Sequence, residues 1–375
     1  MDLRNVMKTH YLETGQEQSE ENREDRARLI RRIEDAEAVL SSIVRKGLRR
    51  WIVTFSGGKD STTTLVIALE SALALMERGG AMGAMGARGA RGARDGPERI
   101  DVIYADTGME IPTIHQYAIN FLNHLERMPR LAPLPVHCHV VYPDMEDRFW
   151  VCVLGKGYPP PHQRFRWCTE RLKIYPAEKA LRDIIMPGAT AVLTGVRFGE
   201  SHSRDVRLQH TCSRGGECGQ GVWYQHSSRL MVDYVAPIAY WPECDVWDFL
   251  NFYAPVLGYP TAHLETGVYN GRETRFGCWM CTVVERDRTM ERLISTQEWA
   301  HLRPLHEFRQ RVRALTRQPE ARRLRPDGRP GGLTLEVRQQ LLTELLELQE
   351  RLNMTLISEE ERRKVEELWQ DDRRR

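Results

Sequence analysis

Ser56-Gly57-Gly58-Lys59-Asp60-Ser61 is the densest chemical motif in the chain: two glycines with hydroxyls on both sides, a lysine and an acid. Glycines let the backbone approach a ligand closely, and the free N–H groups opening a following helix attract anions together with the helix dipole. Such a loop holds a phosphate. Lys59 would neutralise phosphate charge, and Asp60 would hold Mg²⁺ or serve only as a helix-start acid. The spacing matches neither the Walker pattern G-x-x-x-x-G-K-[ST] nor the dinucleotide pattern G-x-G-x-x-G, so the loop is of another kind.

Other groups carry chemistry at greater distance. Asp106-Thr107-Gly108 is by itself a turn-like signal. Gly195-Val196-Arg197, followed by Glu200, Ser201 and Arg204, supplies two guanidiniums able to clamp phosphates bidentately, with a solvated charge cluster as the competing reading. Cys278-Trp279-Met280-Cys281 is a redox pair or half of a metal site. Cys212 and Cys218 lie in a glycine-rich stretch, and Cys168 precedes Thr169, Leu172 and Lys173. Four or five thiols at loop positions suit a four-cysteine iron–sulfur cluster or a zinc site. Cys138, Cys152 and Cys244 fall on apolar or helical segments and read as small core residues.

The elements that must position these groups follow from periodicity. Apolar positions from Leu29 to Val44 repeat at helical spacing, predicting an amphipathic entry helix over 24–48 that packs on the main domain. Trp51–Phe55 predicts a strand feeding the glycine turn, and residues 63–76 a helix. Residues 79–96, rich in Gly, Ala and Arg, read as a flexible insert. Further strands are expected over 100–105, 136–142 and 191–194, with a helix over 112–127. Alternating strands and helices, with the motifs at strand ends, indicate a doubly wound α/β fold whose mainly parallel sheet binds its ligand at the carboxyl edge. Pro237, Ile238, Trp241, Asp245 and Trp247 read mainly as packing. Leu333–Leu352, and a segment capped by Ser358 with Glu361, predict a helical C-terminal extension. The expected organisation is an N-terminal helix (1–48), a nucleotide-binding α/β domain (49–255), a cysteine and arginine segment (256–330) and a helical hairpin (331–375).

Composition sets outer bounds. The chain has 375 residues, 41% hydrophobic and 28% charged, with 54 Lys+Arg against 52 Asp+Glu for a formal charge of +2. Fibrous and wholly disordered classes are excluded. No apolar run of membrane-spanning length occurs and the N-terminus is polar, so a cytoplasmic protein with no membrane partner is expected. The neutral total hides nine arginines between Arg303 and Arg329, set among three acids in residues 301–330. Such a stretch can bind a phosphate backbone or form a solvated helical face.

At every fixed position the loop resembles the PP-loop of the ATP pyrophosphatase and phosphoadenylylsulfate (PAPS) reductase superfamily, Ser-Gly-Gly-x-Asp-Ser. That resemblance implies an adenine nucleotide alpha-hydrolase-like, Rossmann-like fold that binds ATP and cuts between the α- and β-phosphates. It also implies that Asp106-Thr107-Gly108 and Gly195 to Arg204 face the nucleotide. Thioredoxin-dependent PAPS reductases end in a cysteine-bearing tail, and cluster-bearing adenylylsulfate reductases carry adjacent cysteines; neither feature is present. Arg275 to Glu285, with its Cys-x-x-Cys and Asp287, resembles the cluster segment of the DndC family, and Cys168-Thr169 with Leu172-Lys173 also matches. The resemblance runs from about Trp51 to Met290. It departs from the family at 263–274, which holds none of the two cysteines usual there, so that Cys212 and Cys218 would take their place.

What the DndC resemblance implies is DNA phosphorothioation: a PP-loop sulfurtransferase with ATP, Mg²⁺ at Asp60 and a [4Fe–4S] cluster on Cys212, Cys218, Cys278 and Cys281, Cys168 being an alternative ligand or sulfur carrier. Lys59, Asp60, Cys168, Arg197 and Arg204 would be catalytic. Partners would be DNA, a cysteine desulfurase and other phosphorothioation subunits. The alternatives are a PAPS or adenylylsulfate reductase, or a non-catalytic ATP-sensing subunit of a DNA modification or defence complex.

Overall fold

The structure, a computed structural model, describes residues 20–84, 96–199, 223–228, 230–269, 271 and 277–374. The chain forms two compact units: Met1–Tyr104, Gln116–Val140 and Leu181–Val268 make the first, and Ala105–His115, Val141–Ala180 and Tyr269–Arg375 the second.

The first unit is built on a six-stranded sheet. Its strands are β1 (Arg50–Phe55), β2 (Arg99–Ala105), β3 (Val136–Val141), β4 (Thr190–Leu193), β5 (Trp223–Ser227) and β6 (Val232–Ala236), in the order β3-β2-β1-β4-β6-β5. β1 runs parallel to β2 and β4, β4 runs parallel to β6, and only β5 is antiparallel to its neighbour, at the edge. This is the expected mainly parallel α/β sheet. Trp51, Ile52 and Val53 have no exposed surface, which explains the unbroken apolar run: a central parallel strand is covered on both faces. Chain order reverses on either side of β1, so the ends of β1 and β4 flank the topological switch point, where open α/β sheets bind ligands.

Helix α1 (Glu20–Arg45) buries the stripe Leu29, Ile33, Ala36, Leu40 and Ile43 and packs on α2 (Lys59–Ala84), which lies along β1. Helix α2 is longer than the periodicity predicted, starting at Lys59 and running on through 79–84 of the Gly/Ala/Arg insert. The rest of that insert, 85–95, lies outside the described residues. Helix α3 (Pro112–Arg127) has the predicted bounds and opens on a proline, whose fixed φ suits a first helical position. Helix α4 (Tyr175–Ile184) precedes β4.

An aromatic core holds the second unit together: Phe149 stacks on Trp167 at 5.6 Å, and Trp150 meets Trp279 and Phe308 at 6.1 and 6.2 Å. After the short helices α5 (Glu243–Asp248, in the first unit) and α6 (Arg288–Leu293) come α7 (Arg303–Leu315) and a hairpin of β7 (Arg322–Leu324) with β8 (Pro330–Leu333). The predicted terminal helices are α8 (Leu335–Leu352) and α9 (Glu359–Arg374). Ser358 and Glu361 form the expected capping box, each side chain accepting from the other's backbone N–H. Both helices pack on a π-helical turn, Val151–Gly155, and Trp369 Nε1 donates to Leu154 O at 2.7 Å. Among the described residues no helix is long and apolar enough to cross a membrane.

Candidate functional site

In the first unit the chain leaves β1 and turns at Ser56-Gly57-Gly58 into α2. Gly57 adopts φ +73°, a left-handed conformation that favours glycine. The loop braces itself: Ser61 Oγ accepts from Ser56 N at 3.1 Å and donates to Gly58 O at 3.0 Å, and Thr62 Oγ1 donates to Gly58 O at 2.9 Å. These hydroxyls fix the curvature of the loop at the amino end of α2. The loop's shape is thus set before any ligand arrives.

The end of β4 closes on this loop. A Cβ on Gly195 would lie 2.8 Å from the carbonyl carbon and oxygen of Asp60 and from Ser61 N, so two stretches of backbone meet where only glycine fits. Two residues on, buried Arg197 donates through Nε to Asp60 Oδ1 at 2.5 Å and through Nη1 to Trp241 O at 2.9 Å. Lys59 Nζ is 3.5 Å from Asp60 Oδ2 and 3.3 Å from Glu243 Oε1, and sits 5.9 Å from the centre of the Trp247 ring. Ser56 to Ser61, Gly195 and Arg197 therefore come together, with both cations on one carboxylate. Arg204, Glu200 and Ser201 lie outside the described residues.

Sequence reasoning missed Glu243 and took Asp245 and Trp247 for packing. Asp245 is buried and binds two arginines of α1: Arg28 Nη2 donates to Oδ1 at 3.0 Å, and Arg32 Nε lies 2.7 Å from Oδ2. Arg32 also donates to Tyr240 O at 3.0 Å. The entry helix thereby fixes the short helix α5 that carries Glu243 and Trp247.

Asp106-Thr107-Gly108 belongs to the second unit. Asp106 Oδ1 accepts from Gly108 N at 2.9 Å, and Gly108 has φ +69°. Glu110, unmarked by any motif, accepts from Thr107 Oγ1 at 2.6 Å and from Thr107 N at 3.1 Å. The same turn pairs with the thiol segment through an antiparallel bridge between Glu110 and Cys278 and a bond from Trp279 N to Met109 O at 3.0 Å.

The Cys-x-x-Cys segment is a tight turn, Cys281 N donating to Cys278 O at 2.9 Å. Thr282 Oγ1 donates to Pro161 O at 2.6 Å, and Arg309 donates to Cys281 O at 2.7 Å and to Val284 O at 2.6 Å. Burial pushes the Cys278 thiol up to about 12, against the pull of Lys173. Cys168 is raised by burial and then by Cys281. Burial acts to lower Lys173, but Cys278, Glu110, Cys168 and Cys281 together raise it. Lys173 has exposed surface though protein surrounds it densely, and the net effect of these neighbours favours its ammonium.

Of the four implied cluster ligands, Cys278 and Cys281 fall among the described residues. Among the described residues no three His, Cys, Asp or Glu side chains gather to hold a metal ion. Cys212 and Cys218 lie outside the described residues. Asp60 turns its two oxygens to Arg197 and Lys59. Two further expectations change: Cys152 is buried as predicted, but Cys244 is exposed. In the arginine stretch, Arg309 is fully buried, and Arg311, Arg313 and Arg323 pair with Glu344, Glu285 and Asp372, so much of the apparent positive charge is already matched.

Comparison with known proteins adds three similarities. The family profile described as a phosphoadenosine phosphosulfate reductase domain matches residues 50–284. An uncharacterised protein of Methanocaldococcus jannaschii is 23% identical over 235 residues, 62% of this chain and 36% of that protein, so the chain spans about a third of that relative's length. The crystal structure of a phosphoadenylyl-sulfate (PAPS) reductase from Candida auris, as a phosphate complex, aligns with 72% of this chain and 99% of its own at 15% identity, with a TM-score of 0.36.

Proposed function

We propose an activity for a chain that belongs to the phosphoadenosine phosphosulfate reductase domain family: an ATP pyrophosphatase-type sulfurtransferase that activates a DNA backbone phosphate for sulfur insertion. Family membership supports a sulfur-related, nucleotide-utilising enzyme. The observation that carries the nucleotide half is the Ser56–Ser61 loop closed by Gly195, with Lys59 and Arg197 beside it at the switch point of the sheet. DNA as acceptor rests on the resemblance of Arg275 to Glu285 and of Cys168-Thr169 to the DndC family.

In this reading the polyphosphate of ATP lies on the loop N–H groups, and Lys59 and Arg197 offset the charge that develops on the leaving pyrophosphate. A non-bridging oxygen of the DNA phosphate attacks the α-phosphorus, the bond to the bridging oxygen breaks, and pyrophosphate departs. The second half is displacement of AMP by sulfur. A cysteine desulfurase supplies sulfur as a persulfide on Cys168, whose terminal sulfur attacks the activated phosphorus. A second thiol then attacks the sulfur–sulfur bond, releasing the thiophosphate and leaving a protein disulfide for an external dithiol to reduce. Burial holds the Cys168 and Cys278 thiols up while Lys173 pulls both towards the thiolate that the exchange requires. No step here requires a cluster.

Pyrophosphate release tests the reading. Purified protein with MgATP, target DNA and a desulfurase should release pyrophosphate, and Asp60→Ala, which removes the partner of Arg197 and Lys59, should abolish it. Absence of release under every combination of DNA and desulfurase refutes the enzyme and leaves an ATP-binding subunit.

A further inference from the structure

Among the described residues, Glu243 reaches the loop lysine from outside the loop motif. Its Oε1 lies 3.3 Å from Lys59 Nζ, and half of its side chain faces solvent while the lysine is 8% exposed. A carboxylate placed so bears on a buried ammonium that the loop itself presents for phosphate. Its position is also fixed from behind: α5 is held by buried Asp245 to Arg28 and Arg32, and the Trp247 ring of the same helix lies under Lys59. Asp60 also reaches Lys59, at 3.5 Å, but it is tied to Arg197 and belongs to the loop itself.

We propose that Glu243 is a resident counter-ion that occupies Lys59 in the nucleotide-free protein and must be displaced by the phosphates of an incoming nucleotide. This rests on the nucleotide-binding reading of the loop. The consequence is a selectivity filter: a ligand charged enough to take over Lys59 pays the displacement once, whereas an uncharged nucleoside never competes for it. The apparent dissociation constant of every phosphate ligand is raised by the fraction of molecules in which the pair is closed. A half-exposed ion pair has a closing constant of about 2–5, so removal of the carboxylate tightens phosphate ligands about 3- to 6-fold.

The experiment is equilibrium binding of MgATP, pyrophosphate and adenosine to wild type, Glu243→Gln and Glu243→Ala, with thermal melting to establish that each variant is folded. The expected result is 3- to 6-fold tighter MgATP and pyrophosphate in both variants, with adenosine unchanged. Unchanged or weaker binding of MgATP and pyrophosphate by folded variants, or an equal gain for adenosine, overturns the inference and leaves the loop's nucleotide reading standing. A wild-type protein that binds neither MgATP nor pyrophosphate overturns both.

Discussion

Substitution of Gly195 by alanine is the sharpest test of how the loop is built. The added methyl would sit 2.8 Å from three backbone atoms, Asp60 C, Asp60 O and Ser61 N. Ordinary contacts begin near 3.4 Å, so β4 and the loop must part by about 0.6 Å, and neither side can yield by rotating a side chain. Gly195 has no left-handed φ, so the penalty comes from space alone. Overpacking of this kind costs about 1–3 kcal/mol, and at about 2–4 °C per kcal/mol for units of 150–250 residues melting should fall by roughly 2–12 °C. The same displacement pulls Arg197, two residues along the chain, away from Asp60, where a shift on the order of 1 Å can lower a rate ~10²-fold. Differential scanning fluorimetry and pyrophosphate release should therefore show a modest loss of stability with a fall of about 10- to 100-fold in kcat/KM. A Gly195→Ala protein with wild-type melting and wild-type release would refute the close approach of β4 to the loop.

The remaining predictions concern interactions in each unit. Arg309→Met leaves the carbonyls of Cys281 and Val284 without their buried donor, and at about 1–3 kcal/mol per lost bond it should destabilise by roughly 2–6 kcal/mol in urea unfolding and speed alkylation of Cys281. Arg309→Lys, which reaches one carbonyl, should recover part of both effects. Burial pushes Asp101 up, but hydrogen bonds from Arg99 and His139 outweigh it and hold the carboxyl below its ordinary 3.8. A depressed folded value gives stability that is present above about pH 4 and lost as pH falls through the folded value, so acid unfolding should steepen there. Asp101→Asn should flatten that part of the pH–stability curve, and an unaltered curve would remove Asp101 from the acid response.

What was legible in the sequence was local. The glycine–hydroxyl loop, the capping box at Ser358 and the helix over 112–127 declare themselves within a few residues, and the structure has them where the pattern places them. β5 and β6 escape sequence reading because five-residue strands carry little periodic signal. The arginine stretch reads as more basic than its surroundings are because Glu344, Glu285 and Asp372, which pair with Arg311, Arg313 and Arg323, lie outside residues 301–330. Asp245 shows the same limit in the first unit: its arginine partner Arg28 is 217 residues away in sequence, so a residue that anchors α5 looks like part of a packing segment. The amphipathic entry helix was read from its apolar stripe, yet its polar face matters as much. Arg28 and Arg32 hold Asp245, Asp245 holds α5, and α5 brings Glu243 and Trp247 to Lys59. A helix recognised by hydrophobic spacing thus reaches the phosphate loop through charges that the spacing does not report.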